Sequence, residues 1–148
     1  QSGICKLKLA VNTFKRYVST ATINFVVFYI IWEICYFFLP VGGVWPSVSW
    51  ALAWILGSYF AHWTHRILTF NSDRNVKWTV PASMSVYTVT LVGSTICYFI
   101  GTEYVPTPLE YDVHVRVVWL ANSSLWGIIN YFGQKNIAFK PIDSDGLS

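Results

Sequence analysis

Between Ser47 and Trp63 the sequence has no Asp, Glu, Lys or Arg, and the residues that end this run constrain the fold as much as the run itself. Aromatic Tyr59, Phe60 and Trp63, then His62, His65 and Arg66, then Phe70, lead into the polar stretch Asn71, Ser72, Asp73, Arg74. A helix leaving a bilayer meets an aromatic belt, a basic anchor and then water in that order. Inside hydrocarbon the backbone has no water to bond, so such a segment closes its own hydrogen bonds as a helix. The same order returns at Asn130 to Phe139. Laid over itself with an offset of 69 residues, the chain places Trp50 on Trp119, Trp63 on Phe132, His65 on Gln134, Arg66 on Lys135 and Phe70 on Phe139. The sequence therefore reads as a duplicated helical hairpin, each half closed by this exit stretch.

Composition decides the class. With 54% hydrophobic and 11% charged residues in 148, the chain has more apolar surface than a water-soluble domain of that length can hide. The expected fold is an all-α membrane protein with four transmembrane helices in two parallel-related helical hairpins. No basic stub, short apolar core and small-residue cleavage site opens the sequence, so no signal peptide is expected. Cys5, Cys35 and Cys97 are odd in number and widely spaced, which suggests neither a disulfide framework nor a zinc site.

Residues 1–16 read as an amphipathic basic N-terminal segment: Ile4, Leu7, Val11 and Phe14 fall at helical spacing with Lys6, Lys8 and Lys15 mostly between them. A simple extension of the first span fits the same residues. The transmembrane domain covers 17–139. The first span, 17–39, is interrupted only by Glu33 and stopped by Pro40, Gly42 and Gly43. The second is 47–66, the third 78–101 with Pro81 near its start, and the fourth 113–133, the most polar, with Arg116, Asn122, Ser123, Ser124 and Asn130. A tail, 140–148, follows. Four crossings put nine of the ten Lys and Arg residues on one side and Arg116 alone on the other. By the positive-inside rule both termini are cytoplasmic, and the protein is a multi-pass protein of the cell membrane.

Arg66 and Lys135, flanked by His65 and Gln134, occupy matching cytoplasmic exits and are candidates to hold a lipid phosphate. Snorkelling anchors have the same composition. Arg116, the outer cation, is a further candidate for a phosphate, or a partner for Glu33, or for Asp112 one turn away. Glu33 is the only acid inside a span, at an insertion cost of roughly 2–3 kcal/mol, which makes it a candidate coupling group. Asn122 and Asn130 are intramembrane polar groups suited to helix packing or to a cavity. No phosphate loop, metal cluster, or nucleophile with its base is present in the pattern, so neither catalysis nor a cofactor is expected, and no nucleic-acid partner.

The exit stretch also carries a resemblance. The chain resembles the GtrA-like family of four-span membrane proteins, whose second and fourth spans end in a pattern like Asn-Phe-x-x-Asn-Arg-x-Trp-x-Phe. Asn130, Tyr131, Gln134, Lys135, Ile137 and Phe139 form one copy; Ala61, His62, His65, Arg66, Leu68 and Phe70 form the other, with Ala61 and His62 in place of the Asn-Phe pair and aliphatic residues at both Trp positions. Arg16-Tyr17, running into Thr22 and Asn24, is similar to the family's start. The resemblance implies movement of a polyprenyl-phosphate-linked sugar between leaflets in cell-surface polysaccharide or glycoconjugate synthesis, often beside a glycosyltransferase. Four helices are few for such a groove, so a homodimer or a partner is expected. Two other readings fit the residues: a proton-coupled exporter resembling the small multidrug resistance type, supported by Glu33, and a non-transporting membrane anchor for a glycosyltransferase.

Overall fold

The computed structural model describes residues 2–69 and 75–139, with side chains from Lys15 onward. Phe70, most of the second loop and the 140–148 tail lie outside these residues. Four helices make up the fold: α1 (Ser2–Phe38), α2 (Trp45–Thr64), α3 (Val76–Glu103) and α4 (Tyr111–Gly133). Strands are absent among the described residues. α1 is continuous through Arg16, so the basic segment and the first apolar run form one helix. It ends before Pro40, and the chain turns on Gly42 and Gly43, whose φ of 86° and 59° favour a residue without Cβ. Pro46 then sits in the first turn of α2, where a missing donor is harmless. Asn75 caps α3 by accepting from the Lys77 N–H at 2.9 Å.

α2 and α4 each continue into a five-residue π-helical turn, His65–Thr69 and Gln134–Ala138. The wider turn closes with Phe139 N–H donating to the Gln134 carbonyl at 2.9 Å. The two π turns are themselves offset by 69 residues.

Cross-helix contacts fix an antiparallel bundle. Thr64 meets Asn24 near one end of the α1/α2 pair while Trp50 meets Phe28 further along. Trp50 donates to Ser94 and Trp54 to the Tyr87 carbonyl across α2/α3. Tyr98 donates to the Val115 carbonyl and Asn122 to the Ser94 carbonyl across α3/α4. α1 lies along α2, α2 along α3 and α3 along α4, whereas the backbones of α1 and α4 make few close approaches. The core is aromatic: Trp32, Trp50 and Tyr98 are 0% exposed, and Trp119 packs among Phe25, Phe28, Tyr29 and Trp32.

Polarity is inverted relative to a soluble bundle. Ser49, Thr79, Ser83 and Ser94 are fully buried, while Phe37 (81%) and Val89 (72%) are exposed with most of the aliphatic residues. An apolar outer face of this extent is a lipid-facing surface. Lys15–Phe38 and Val76–Glu103 are long and apolar enough to cross a membrane by length and composition alone. α2 has no Asp, Glu, Lys or Arg but is lowered in hydropathy by its tryptophans, serines and Tyr59, and α4 is lowered by Asp112, Arg116 and its amides.

Candidate functional site

The seam between α1 and α4 is closed at one end by an ion pair and bridged near the other by Tyr17, whose hydroxyl donates to the Gly127 carbonyl at 3.4 Å. At the closed end Arg116 of α4 grips Glu33 of α1 with two bonds, Nε to Oε1 at 3.0 Å and Nη2 to Oε2 at 3.2 Å. The Tyr29 hydroxyl also donates to Glu33. Arg116 Nη1 donates to the Asp112 backbone carbonyl at 3.1 Å, and the Asp112 carboxylate accepts from Tyr36 at 2.9 Å. Arg116 is thus committed to Glu33 rather than to the Asp112 carboxylate one turn away, and the fork geometry of guanidinium and carboxylate favours that choice. Glu33, Tyr36, Asp112 and Arg116 together tie the first helix to the last.

Toward the π turns the seam holds a cavity of about 280 Å³. From Tyr17 to Phe28 it follows α1 for about 16 Å at the helical rise. Ser123, Gly127 and Asn130 of α4 form the opposite wall, Phe28 and Trp54 its floor, and exposed Phe25 and Ile128 flank it on the lipid side. The space arises from small residues: a Cβ built on Gly127 would meet nothing within 4 Å.

His65, the first residue of its π turn, is buried in this cavity. Asn24 Nδ2 donates to His65 Nε2 at 3.2 Å, which leaves the proton on Nδ1 to donate to Thr69 Oγ1 at 3.1 Å. Thr64 donates to Asn24 Oδ1 at 2.8 Å, so Asn24 is held from both ends of its amide. The Tyr17 ring stacks on His65 at 5.4 Å and meets the Tyr131 ring at 4.1 Å with the two planes tilted by 46°. Lys135 Nζ lies 5.8 Å from the centre of the Tyr131 ring, one ring removed from the Tyr17 that lines the cavity. The Tyr87 and Asn130 side chains, both at the cavity, face each other across α3 and α4.

The candidate residues therefore separate into groups. His65, Asn130 and, through Tyr131, Lys135 belong to the cavity end. Arg66, next to His65, turns to α3 and donates to Thr79 Oγ1 at 2.8 Å. Gln134, offset by 69 residues from His65, is buried against α3 and reaches the Ser83 carbonyl at 3.4 Å. Asn122 bonds the Ser94 carbonyl at 3.0 Å and packs α3 on α4. His62 lies against Phe139 at 5.9 Å, away from His65's bonds. Among the described residues no cluster of three His, Cys, Asp or Glu groups is disposed to hold a metal.

Sequence reasoning did not single out Thr64, Tyr87 or Gly127, and it named Tyr17 only in the resemblance at the chain's start. Asn24 carried the one available signal, a lone amide within the first apolar run, and the histidine that uses it is 41 positions away.

A helical bundle with buried hydroxyls and amides, an apolar outside and a cavity bordered by lipid-facing residues defines a helical membrane protein. The chain belongs to the GtrA/DPMS transmembrane domain family, whose model matches residues 16–139. No curated protein and no solved structure matches it.

Proposed function

We propose that this protein carries a polyprenyl-phosphate-linked sugar from the cytoplasmic to the outer leaflet for cell-surface polysaccharide or glycoconjugate synthesis, without a chemical step of its own. The observation that carries this reading is the cavity between α1 and α4, apolar over most of its surface with Asn24, His65, Ser123 and Asn130 set into it, and flanked by lipid-facing Phe25 and Ile128. A sugar phosphate cannot cross about 30 Å of hydrocarbon bare. A seam that sets these few polar groups beside lipid shields the head group while the polyprenyl chain stays in the bilayer. In this reading all four helices span the membrane, and the N-terminus and both π turns face the cytoplasm, where Arg16, Arg66 and Lys135 attract the phosphate. Arg16 already marks that level of the bundle, donating to the Leu68 carbonyl at 2.8 Å. Glu33, the support for a proton-coupled exporter, is engaged by Arg116 and Tyr29 outside the cavity lining. A second copy of the chain, and the glycosyltransferase that makes the lipid, are the proposed partners.

The test is translocation in proteoliposomes loaded with a polyprenyl-phosphate hexose, read as exposure of the inner-leaflet sugar to impermeant periodate. The wild type should expose it and empty liposomes should not. Lys135→Gln should weaken lipid binding about tenfold, the loss of one charge-assisted hydrogen bond. Equal exposure with and without protein contradicts the proposal, and co-purification with a glycosyltransferase alongside that result points to an anchor instead.

A further inference from the structure

Glu33 and Arg116 join two helices whose backbones make few close approaches, so this end of the seam is held by side chains rather than by close helix packing. The repeat supplies an internal comparison. An offset of 69 residues carries α1 onto α3 and α4 onto α2, so the seam between α2 and α3 is the counterpart of the seam between α1 and α4. Glu33 then falls on Thr102 and Arg116 on Ser47. Thr102 and Ser47 are neutral and buried, and Thr102 donates to the Tyr98 carbonyl of its own helix. One seam is thus closed at this level with small buried hydroxyls, and the other with two opposite charges whose side chains are 40% and 30% exposed. Closing such a seam does not need charge, and a packed one would be the harder to part.

Each charge also has a second partner one turn away on its own helix. The Tyr29 hydroxyl donates to Glu33 within α1, and Arg116 holds the Asp112 backbone carbonyl within α4. The Asp112 carboxylate is taken up across the seam by the Tyr36 hydroxyl of α1. If α1 parts from α4 here, Tyr36 leaves with α1 and frees that carboxylate for Arg116, at the spacing where helical ion pairs form. Glu33 keeps Tyr29. Parting therefore exchanges bonds across the seam for bonds along each helix, and neither charge is left without a partner, the condition that makes breaking a buried pair so costly.

We infer that Glu33 and Arg116, with Tyr29, Tyr36 and Asp112, form a dissociable latch, and that the bundle opens by parting α1 from α4 at this end while the counterpart seam between α2 and α3 stays shut. What the latch gates rests on the proposed function: there this end faces outward, and the latch bars the way from the cavity to the outer leaflet until the head group leaves. Two discrete arrangements of the same five side chains give the seam a closed and an open state.

Distances between spin labels on the full chain in lipid nanodiscs test it, with Cys5, Cys35 and Cys97 first replaced by Ser. One label pair, Phe37→Cys with Val113→Cys, sits on exposed positions of α1 and α4 near the latch; a control pair, Val44→Cys with Tyr104→Cys, sits at the corresponding ends of α2 and α3. The α1/α4 pair should show a dominant short distance and a minor longer one. Arg116→Gln should raise the ratio of long to short about tenfold, the loss of charge-assisted bonding across the seam. Glu33→Gln should do the same and leaves Arg116 free to turn to Asp112, so the test stands if Arg116→Gln does not fold. Arg116→Lys, which keeps the charge without the fork, should fall between. The α2/α3 pair should not change in any variant. A single unchanged distance in both Gln variants, or equal lengthening of the control pair, overturns the latch. Because no lipid-linked sugar is present, these distances stand apart from the translocation assay: failure of transport removes the proposed function, whereas failure of the distances to shift removes the latch alone.

Discussion

The first helix pair, α1 with α2, and the second, α3 with α4, are built on one plan and finished differently. Trp50 and Trp119 correspond, as do Tyr29 and Tyr98, and the contacts exchange accordingly: Trp50 stacks on Tyr98 at 4.8 Å while Trp119 meets Tyr29 edge-on at 4.9 Å. The differences lie around that shared centre. In the second pair glycines allow close approach: a Cβ on Gly101 or Gly133 would come within 2.6 Å of Val118 or Val86. In the first pair a Cβ on Gly57 would lie 3.6 Å from Phe28, an ordinary contact, and the polar groups Asn24, Thr64 and His65 gather beside open space. The two exits correspond at the 69-residue offset, yet Gln134 is packed against α3 and His65 borders the cavity.

The largest expected effect comes from the bond that joins the halves. Arg116→Gln strands Glu33 with one tyrosine donor, and because both side chains are partly exposed (40% and 30%) the loss should lie below the 3–5 kcal/mol of fully buried pairs, at about 2 kcal/mol. Adding Glu33→Gln should recover much of it, since the uncompensated charge is gone. Unfolding in detergent for both singles and the double measures this; additive losses would mean that the two residues are independent and that the seam is not held there.

Next is the packing contrast. Gly133→Ala should destabilise by about 1–3 kcal/mol through overpacking on Val86, while Gly57→Ala should be neutral or stabilising, since Ala is the better helix former. The same unfolding measurement decides, and equal effects would erase the distinction between a tight and a loose pair.

A smaller effect sharpens the comparison at the centre. Trp50 donates its indole N–H to Ser94 at 3.0 Å, whereas the indole of Trp119 has no partner among the described residues and faces Phe25, the residue offset by 69 from Ser94. Ser94→Ala should therefore destabilise by about 1 kcal/mol. A negligible change would show that the two tryptophans are equivalent despite their different neighbours.

Much of the fold was legible because its signals are local. The uncharged runs, the Pro40 and Gly42–Gly43 stop, and the 69-residue offset can each be read along the chain, and the lone acid of the first run and the lone cation of the fourth made Glu33 and Arg116 natural partners. The π turns were not legible, since a helix that widens by one residue keeps the same composition. Nor was the divergence between Arg66 and Lys135, whose equivalence in the repeat hides that one turns to Thr79 and the other lies over Tyr131. Gly127 and Gly133 look alike in sequence, and only tertiary packing makes one border a void and the other a contact.

The central claim is that the open seam between α1 and α4 is the path of the head group, and filling that seam tests it most directly. Gly127→Leu places a side chain where a Cβ meets nothing within 4 Å, so the bundle accepts it and the cavity loses its space. Val89→Leu, on the lipid-facing surface of α3, is the matched control. In proteoliposomes carrying a polyprenyl-phosphate hexose, the account predicts that Gly127→Leu slows translocation at least tenfold while Val89→Leu keeps the wild-type rate. Unchanged translocation by a folded Gly127→Leu variant would contradict it.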